Sequence, residues 1–333
     1  MAKGSLTTQE RTDFVRRICD VYPDARIDEQ LDTPHNQVRL GQSDPLKRQV
    51  VGKRTLLFGE LKRSVQRTNY QSRICPDYWH FSVFGHCPYG CKYCFLAGTE
   101  GVWFSPTVKI YVNLSEILSQ IDRIANRLAE PTPFHLGKVQ DGLALEPLTG
   151  FMGTLVPFFA AHKFARQIIL TKSASVDSLL ELEHRQKTIL AWSLNPRETA
   201  EHYEANVPSV EDRIIAMQRC SEKGYPVRAM IMPIIPCEDW ETIYIDFVSE
   251  LLHRVKLQRL TLGGIYLNPR AVYLMKRRMG KNDPYHYRLA SRRSRNSEVT
   301  QKGDEFHPAM YSRIATLART IQRDLTIGSC HTL

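Results

Sequence analysis

Cys87-Pro88-Tyr89-Gly90-Cys91-Lys92-Tyr93-Cys94 places three cysteines in a C-x3-C-x2-C spacing, with no fourth cysteine close by in the chain. A cubane iron–sulfur cluster has four irons, which cysteine thiolates usually hold. When only three thiolates hold it, one iron stays open for a small molecule, as a catalytic zinc site keeps one open position. The run therefore predicts a 4Fe–4S cluster that reacts, with Cys87, Cys91 and Cys94 as its protein ligands.

The cysteine run directly follows the first of six predicted strands, which alternate with helical patterns. The strands are predicted at Tyr78–Phe84, Phe134–Leu136, Gln167–Leu170, Thr188–Leu194, Val227–Met232 and Gln258–Leu262. The helices are predicted at Ser115–Ala129, Leu148–His162, Val176–His184, Ser209–Lys223 and Asp239–Arg254. This alternation is typical of βαβ units. It predicts an α/β fold, a partial (β/α)6 TIM-like barrel with N- and C-terminal extensions, whose reactive groups lie at the carboxyl ends of the strands.

The same pattern divides the chain into three parts. Residues 1–77 form a partly basic N-terminal extension, residues 78–268 the barrel with the cluster loop, and residues 269–333 a basic segment with a closing helix. Ser115 is the expected N-cap of the first barrel helix. Gly224-Tyr225-Pro226 marks the end of a helix before a strand. The closing helix lies within Asp304–Arg323, with its apolar face at Met310, Ile314, Leu317 and Ile321.

The composition is that of an ordinary globular protein. Of 333 residues, 42% are hydrophobic and 24% charged, so extensive disorder is not expected. Residues 1–10 lack the apolar core of a signal peptide, and no apolar run is long enough to cross a bilayer. These features predict a cytoplasmic protein without a membrane partner, and a reducing cytoplasm also suits an oxygen-sensitive cluster.

Two other uses of the cysteines fit the sequence less well. A structural zinc site needs a fourth ligand, which His80 or His86 could supply, but zinc knuckles usually contain two separated C-x2-C pairs. A disulfide framework is disfavoured, because eight cysteines in 333 residues is an ordinary density. The remaining five are scattered singly, and most are expected to be small buried apolar residues. They are Cys19, Cys75, Cys220, Cys237 and Cys330.

Positive charge is concentrated in two segments. Residues 47–73 contain eight Lys or Arg and one acid, and residues 276–302 contain nine and two. Each segment carries a net +7 against +10 for the whole chain, so the remainder is mildly acidic. The second also contains Tyr285, His286 and Tyr287, which can stack on bases. This clustering favours a nucleic acid or nucleotide partner, although a solvated basic face with no partner is the alternative.

The cysteine spacing resembles that of the radical SAM enzymes, in which S-adenosylmethionine chelates the open iron. Tyr93 fits the same pattern, since an aromatic residue before the last cysteine lies near the adenine in that superfamily. Within it, the chain resembles the spore photoproduct lyase branch from about residue 33 to 255. The motifs that carry this resemblance, in order, are His35-Asn36-Gln37-Val38-Arg39, Lys53-Arg54-Thr55-Leu56, Lys109-Ile110-Tyr111-Val112-Asn113, Leu148-Thr149-Gly150, Leu170-Thr171-Lys172, Trp192-Ser193-Leu194-Asn195 and Lys223-Gly224-Tyr225-Pro226.

The resemblance implies the cofactors and the residues that hold them. The cofactors are a 4Fe–4S cluster and S-adenosylmethionine. Lys172 is implied to pair with the carboxylate of S-adenosylmethionine, and a lysine at the end of a strand can make such a charge-assisted hydrogen bond. Ser193 is implied to bond near the methionine or ribose end. Tyr93 and Asn195 complete the expected cofactor-binding set.

One position departs from the lyase pattern. In the lyases, a cysteine two residues before a Ser-Asp pair returns a hydrogen atom to the substrate radical. Here Lys138-Val139-Gln140-Asp141 occupies that stretch, so Lys138 stands where the cysteine is expected. Lys138, Gln140 and Asp141 are the candidate catalytic residues, with Gln140 and Asp141 able to bind a base edge, a sugar hydroxyl or the cofactor. If a thiol still returns the hydrogen, Cys75, Cys237 or Cys330 must reach the pocket, and Cys237 is the best placed in sequence.

The leading hypothesis is a lyase-like radical SAM enzyme that uses a 5′-deoxyadenosyl radical on a nucleic acid or nucleotide. An external electron donor of flavodoxin or ferredoxin type would reduce the cluster. One alternative is a radical SAM enzyme of biosynthesis that acts on a small nucleoside or sugar, with Lys138 binding a phosphate. The other is a non-catalytic iron–sulfur protein that binds nucleic acid.

Overall fold

The strands and helices follow the predicted alternation closely. The computed structural model describes residues 1–68, 77–235, 239–264, 268–283 and 307–329. The strands are β1 Leu56–Gly59, β2 Val65–Arg67, β3 Trp79–Phe81, β4 Phe84–Gly85, β5 Gly90–Cys91, β6 Val108–Tyr111, β7 Thr132–Leu136, β8 Ala165–Thr171, β9 Thr188–Leu194, β10 Glu204–Ala205, β11 Val227–Ile231, β12 Arg259–Leu262 and β13 Thr326–Ser329. The helices are α1 Gln9–Cys19, α2 Pro45–Lys53, α3 Glu100–Phe104, α4 Leu114–Leu128, α5 Glu146–Thr149, α6 Met152–Ala161, α7 Arg197–Tyr203, α8 Val210–Glu222, α9 Trp240–Arg254, α10 Pro269–Met279 and α11 His307–Ile321.

The main sheet is an open, mostly parallel barrel. Its eight strands lie in the order β13-β12-β11-β9-β8-β7-β3-β2. All neighbours are parallel except β2 and β3. The six predicted barrel strands are β3, β7, β8, β9, β11 and β12, and they are neighbours in chain order, as successive βαβ units require. The predicted partial barrel is therefore confirmed, and β2 and β13 are additions that form its two edges in the described part of the chain.

The barrel strands bury one face under the helices. Leu190, Trp192 and Leu194 of β9 are fully buried in the main hydrophobic core. Because side chains alternate along a strand, Ala191 and Ser193 lie on the opposite, inner face. The same alternation separates the two faces of the other parallel strands, so the inner face is the surface on which polar side chains are gathered.

Both ends of α8 and the closing helix lie where local sequence signals predict them. Ser209 caps α8 through a capping box with Asp212. After α8, Gly224 has a φ of +82°, and the Tyr225 amide donates to the Cys220 carbonyl at 3.1 Å, which closes the helix end. The predicted closing helix is α11, whose Met310 and Ile314 are fully buried.

Some local predictions are wrong. The predicted strand Tyr78–Phe84 is split, because β4 leaves the barrel to pair with β6 in a separate sheet of order β1-β6-β4. The predicted helix Leu148–His162 is interrupted at Gly150, which has a φ of +63° after α5. The predicted helix Val176–His184 is only a 3-10 turn at Asp177–Leu179. So short a helical segment has little stability of its own, and the buried Val176 and Leu179 are placed by tertiary packing instead.

The expected serine cap of α4 is also wrong. The helix begins at Leu114, so Asn113 occupies the cap position. The Asn113 side chain does not cap the helix but bonds the backbone of Leu61, accepting from its amide at 2.9 Å and donating to its carbonyl at 3.2 Å. A contact 52 residues distant in sequence has therefore displaced the local signal.

Candidate active site

The cysteine loop lies at the carboxyl end of the barrel and is tied to the loop after β9. It follows β3 and β4, and within it β5 pairs antiparallel with β10, with Cys91 opposite Glu204. The Lys92 amide donates to the Tyr203 carbonyl at 2.8 Å. Loops at this end of a parallel barrel carry the reactive groups in such folds. The predicted position of the cysteine run is therefore the one observed.

The three thiols lie within electrostatic reach of one another. Burial is the largest cause that raises the pKa of Cys87, and the neighbouring Cys91 and Cys94 raise it further. Burial also raises the pKa of Cys91 to about 12, and Lys172 acts in the opposite direction. Bare thiols at this place resist ionisation, so the thiolates that a cluster needs depend on nearby positive charge.

Two further cations supply such charge. Lys53 donates from Nζ to the Cys87 carbonyl at 3.1 Å and also bonds the Tyr89 carbonyl. Arg278 donates from Nη1 to the Cys91 carbonyl at 3.5 Å, and burial lowers its pKa while Cys94 and Cys91 raise it. The loop is thus held from two sides, by α2 and by α10, through side chains whose charge favours bound anionic sulfur.

Buried polar atoms beside the cysteines fit an additional group in this site. His86 precedes Cys87 and pairs with Gln140 in an isolated parallel bridge. Among the residues that the structure describes, neither ring nitrogen of His86 nor the Oε1 atom of Gln140 has a hydrogen-bond partner, and all three atoms are buried. Leaving such atoms unpaired costs free energy, so partners beyond the protein itself are expected. The donor set and these atoms fit a cluster and a polar cofactor.

The zinc alternative lacks support from the geometry. A single zinc ion holds its ligands at about 2.0–2.3 Å, which requires them to converge on one point. Among the residues that the structure describes, no three His, Cys, Asp or Glu side chains form such a group. Three thiolates that bind three different irons of a cubane do not need to converge in this way.

Lys172, Ser193 and Glu204 form the polar centre of the site. Lys172 follows the last residue of β8, and its Nζ donates to Ser193 Oγ at 2.7 Å and to Glu204 Oε1 at 2.9 Å. The Lys172 ammonium also lies 5.7 Å from the ring centroid of Tyr93. The site therefore joins the ends of two barrel strands to the cysteine loop.

Glu204 is ionised although it is buried. Burial alone would raise its pKa, but Lys172 and Arg213 together with the Tyr93 hydroxyl lower that pKa to about 2. Arg213 Nη2 lies 2.7 Å from Glu204 Oε2, and the Tyr93 hydroxyl donates to Oε1. Asn195 adds a bond from Nδ2 to the same oxygen at 3.4 Å. The four cofactor-binding candidates, Tyr93, Lys172, Ser193 and Asn195, thus converge on one carboxylate and its partners.

Asp141 organises the loop after β7. Its carboxylate accepts bonds from the Thr171 hydroxyl at 2.6 Å and the Lys172 amide at 2.7 Å. It also accepts from the amides of Leu143 at 3.0 Å and Ala144 at 2.9 Å. Burial raises the pKa of Asp141, and these four bonds act against that rise. Because the Asp141 carboxylate accepts all four bonds, it holds the backbone of Lys172 in place.

Lys138 and Gln140 lie on the same loop but differ in surroundings. The Lys138 ammonium is partly exposed, 5.6 Å from the ring centroid of Tyr78, and burial lowers its pKa. Gln140 is buried and its Nε2 donates to the Phe81 carbonyl at 3.5 Å. Gln140 therefore lies between the first barrel strand and His86 at the start of the cysteine loop, whereas Lys138 lies beside Tyr78.

Four functional candidates were not identified from the sequence. Glu204, Lys53 and Arg278 contact the cysteine loop from distant parts of the chain, and Arg213 contacts Glu204. Lys53 lies in a motif that carries the family resemblance, which was a usable signal, but no spacing rule marks the others. Cys75, Cys237 and Cys330, proposed as alternative hydrogen donors, and Tyr285, His286 and Tyr287 lie outside the described residues.

Comparison with known proteins agrees with this geometry. The spore photoproduct lyase family matches residues 11–282. The chain is 30% identical over 227 residues to the spore photoproduct lyase of Geobacillus sp. (strain Y412MC61), covering 67% of this chain and 64% of that protein. It is 28% identical over 234 residues to that of Bacillus subtilis (strain 168), covering 70% and 67%. The matched region thus spans less than two thirds of the Geobacillus protein.

Solved structures show the same fold. A spore photoproduct lyase complexed with dinucleoside spore photoproduct matches with a TM-score of 0.83 at 22% identity, covering 100% of this chain and 97% of the other. A mutant lyase with bound AdoMet and dinucleoside spore photoproduct matches with a TM-score of 0.82 at 21% identity. An open α/β barrel with three cysteines after its first strand defines the radical SAM class, whose members carry a 4Fe–4S cluster and S-adenosylmethionine. The chain belongs to the spore photoproduct lyase family of that class, and the resemblance seen in its sequence is confirmed.

Proposed function

We propose that the protein reductively cleaves S-adenosylmethionine at a 4Fe–4S cluster held by Cys87, Cys91 and Cys94, and acts on a nucleic acid substrate. One observation carries the proposal: Cys91 lies opposite Glu204, the carboxylate that also receives Lys172. When bound, the cluster and S-adenosylmethionine supply a 5′-deoxyadenosyl radical that abstracts hydrogen from the substrate. The protein's part is to position that chemistry next to one C–H bond and to exclude water.

Lys172 and Ser193 are the proposed anchors of the S-adenosylmethionine amino acid group. The Lys172 ammonium is held by Glu204 and Ser193 at the open end of the barrel, where it can donate to a carboxylate. Tyr93, whose hydroxyl is fixed by Glu204, presents its ring for the adenine. Asn195 keeps Glu204 in place, since its Oδ1 accepts from Tyr244 at 3.2 Å while its Nδ2 donates to Glu204.

A polynucleotide is the proposed form of the substrate. Helices α2 and α10, which carry the beginning of each basic segment, are in contact, and Arg277 of α10 pairs at 2.6 Å with Asp44, the N-cap residue of α2. Beside this contact, Arg270 lies over the rings of Trp103 and Phe104 at 5.7 and 5.3 Å. Tyr273 completes an exposed aromatic and cationic surface. Such a surface suits phosphate contacts and base stacking.

The hydrogen return must differ from that implied by the family pattern. Lys138 occupies the place of the donor cysteine, and an ammonium has no weak S–H bond to give. The two solved structures described above contain dinucleoside spore photoproduct, and this substrate class is therefore proposed for this chain without the thiol step of the family pattern. We further propose an external electron donor of flavodoxin or ferredoxin type and a cytoplasmic location. The supporting finding for location is that no helix among the described residues is long and apolar enough to span a membrane.

Anaerobic reconstitution tests the proposal. The reduced protein is given S-adenosylmethionine with a thymine-lesion oligonucleotide or with an undamaged one, and 5′-deoxyadenosine is measured by mass spectrometry. Wild type should form it, and Cys87→Ala, Cys91→Ala and Cys94→Ala should lose both iron and product. Cys19→Ser, at a half-buried cysteine of α1, is the matched control and should keep both. A wild-type protein that binds nucleic acid but forms no 5′-deoxyadenosine would instead support the non-catalytic alternative.

The salt dependence of oligonucleotide binding distinguishes a polymeric substrate from a small metabolite. If the affinity for an oligonucleotide falls steeply as the salt concentration rises, the result supports a polymeric substrate, because phosphate contacts release counterions. Formation of 5′-deoxyadenosine without measurable oligonucleotide binding at low salt would favour the small-metabolite alternative.

A further inference from the structure

Arg228 and Arg259 are paired on the inner face of the barrel. They are register partners on the neighbouring parallel strands β11 and β12. Their chain neighbours Ala229 and Leu260 are buried at 1% and 0% exposure under the helices. Because side chains alternate, both arginines lie on the opposite face and extend toward the interior of the open barrel.

In the part of the chain that the structure describes, neither guanidinium of this pair forms an ion pair with an acid. The pKa of Arg228 is lowered by burial and by Arg259. The only hydrogen bond of Arg228 to a described residue runs from Nε to Gln258 Oε1 at 2.7 Å. Like charges directly opposite each other in a sheet are destabilising. The fold therefore maintains a repulsive contact that its stability does not require.

The positive charge of Arg228 acts across the inner face of the sheet. Two strands, β8 and β9, lie between β11 and β7. The pKa of His135 on β7 is nevertheless lowered to about 4, first by burial and then by Arg228. Arg228 thus acts across the interior. On the other side, Gly328 of β13 gives Arg259 room, since a Cβ at Gly328 would be 2.2 Å from Arg259 Nη2.

The pair lies below the proposed cofactor site. Ser193 is the register partner of Met230, which is two residues after Arg228 on β11. At about 3.3 Å per residue, the arginines are roughly 7 Å below the level of Ser193 along the barrel. A group bound between them would sit beneath a substrate that reacts at the open end.

We propose that Arg228 and Arg259 form an anion subsite that binds a phosphate group of the substrate. Two planar guanidinium groups from register-paired residues of neighbouring strands match the oxygens of a phosphodiester or phosphomonoester through paired hydrogen bonds. Binding would also offset the repulsion between them. This inference rests on the proposed nucleic acid substrate, and it predicts that an internucleotide phosphate contributes to recognition inside the barrel and not only on the surface.

The test compares two dinucleotides that differ in one charge. Equilibrium binding is measured for thymidylyl-thymidine and for its uncharged methylphosphonate analogue. Wild type should bind the phosphodiester at least tenfold more tightly. Arg228→Met and Arg259→Met should lose most of that preference, and Arg259→Lys should keep part of it. Arg166→Met, a control on β8 whose side chain bonds nearby carbonyls, should retain it.

A second variant keeps both charges. Gly328→Ala displaces the Arg259 guanidinium and should also lose the preference. Thermal unfolding should show Arg259→Met at least as stable as wild type, because the repulsion is relieved. Equal binding of the two dinucleotides by wild type, or full preference in both methionine variants, would overturn the subsite. The proposed function is tested separately by measuring 5′-deoxyadenosine formed without substrate. Among the described residues, neither arginine bonds the cysteine loop, so this measurement does not depend on the subsite.

Discussion

Glu204 lies directly opposite Cys91 in a two-residue antiparallel ladder, and its side chain accepts the Lys172 ammonium at 2.9 Å. One residue therefore joins the cysteine loop to the end of β8 through both its backbone and its carboxylate. Arg213 and Tyr93 complete its contacts. The site depends on this carboxylate although it is not itself a proposed ligand of either cofactor.

Replacing Glu204 should destabilise the fold. Glu204→Gln keeps the shape but leaves Lys172 and Arg213 without their carboxylate, and breaking a buried ion network of this kind costs about 3–5 kcal/mol. Urea unfolding of the protein without cofactors measures the loss. The control is Glu211→Gln, whose side chain is 43% exposed in its pairs with Arg197 and Arg254 and should cost about 0–1 kcal/mol. Equal losses in the two variants would contradict the central role of Glu204.

The same carboxylate predicts a pH dependence. The pKa of Glu204 falls from an ordinary 4.5 to about 2 in the folded protein. Its stabilising contribution is thus fully present above pH 4.5 and is lost as the pH falls toward 2. The free energy of unfolding of Glu204→Gln should decline less steeply than that of wild type over this window. Parallel curves for the two proteins would show that Glu204 does not titrate as described.

Removing the Lys172 charge should weaken cofactor binding. A charge-assisted hydrogen bond contributes about 1.5–3 kcal/mol, so Lys172→Met should bind S-adenosylmethionine roughly tenfold to hundredfold less tightly. Equilibrium binding to the reconstituted protein is the measurement. Lys187→Met is the control. Lys187 immediately precedes β9, and its ammonium bonds the carbonyls of Ala160 and His162 and not the residues of the proposed cofactor site. Unchanged affinity in Lys172→Met would remove this lysine from the cofactor site.

Arg278 should tune the cluster. Reduction adds negative charge, which the half-buried Arg278 guanidinium stabilises, so Arg278→Met should make the cluster harder to reduce by on the order of 50 mV. Redox titration followed by electron paramagnetic resonance measures the shift. Arg277→Met is the matched control one residue earlier, since Arg277 pairs with Asp44 on the surface. A shift of equal size in both variants would indicate a long-range charge effect and not a local one.

A thiol at position 138 should change the hydrogen return. With spore photoproduct dinucleotide as substrate, Lys138→Cys in deuterated solvent should place solvent deuterium in the thymine product and raise the yield of product per 5′-deoxyadenosine. The reason is that a thiol exchanges with solvent and donates a hydrogen atom readily. Lys163→Cys, on the exposed loop before β8, is the control and should behave as wild type. No difference between the two cysteine variants would show that position 138 does not face the substrate.

Local sequence determined the parts of this protein that depend on neighbouring residues. The C-x3-C-x2-C spacing predicted the cluster loop, and short apolar runs between amphipathic stretches predicted the six barrel strands. The predicted helix Ser209–Lys223 is confirmed as α8, which begins at a capping box of Ser209 and Asp212. These signals work because thiolate spacing, strand periodicity and helix capping act over a few residues. The same local logic was wrong at Val176–His184 and Ser115, where packing and a distant asparagine contact decided the backbone.

Tertiary structure alone decided which charges meet. Glu204 reaches Tyr93 across 111 residues of chain, and Lys53 and Arg278 approach the cysteine loop from opposite ends of the sequence. Arg228 and Arg259 face each other only because β11 and β12 pair in one register. Burial and register set these contacts, and both arise when the strands assemble. The cysteines and Lys172 could therefore be recognised in the sequence, whereas Glu204, Arg213 and Arg278 could not.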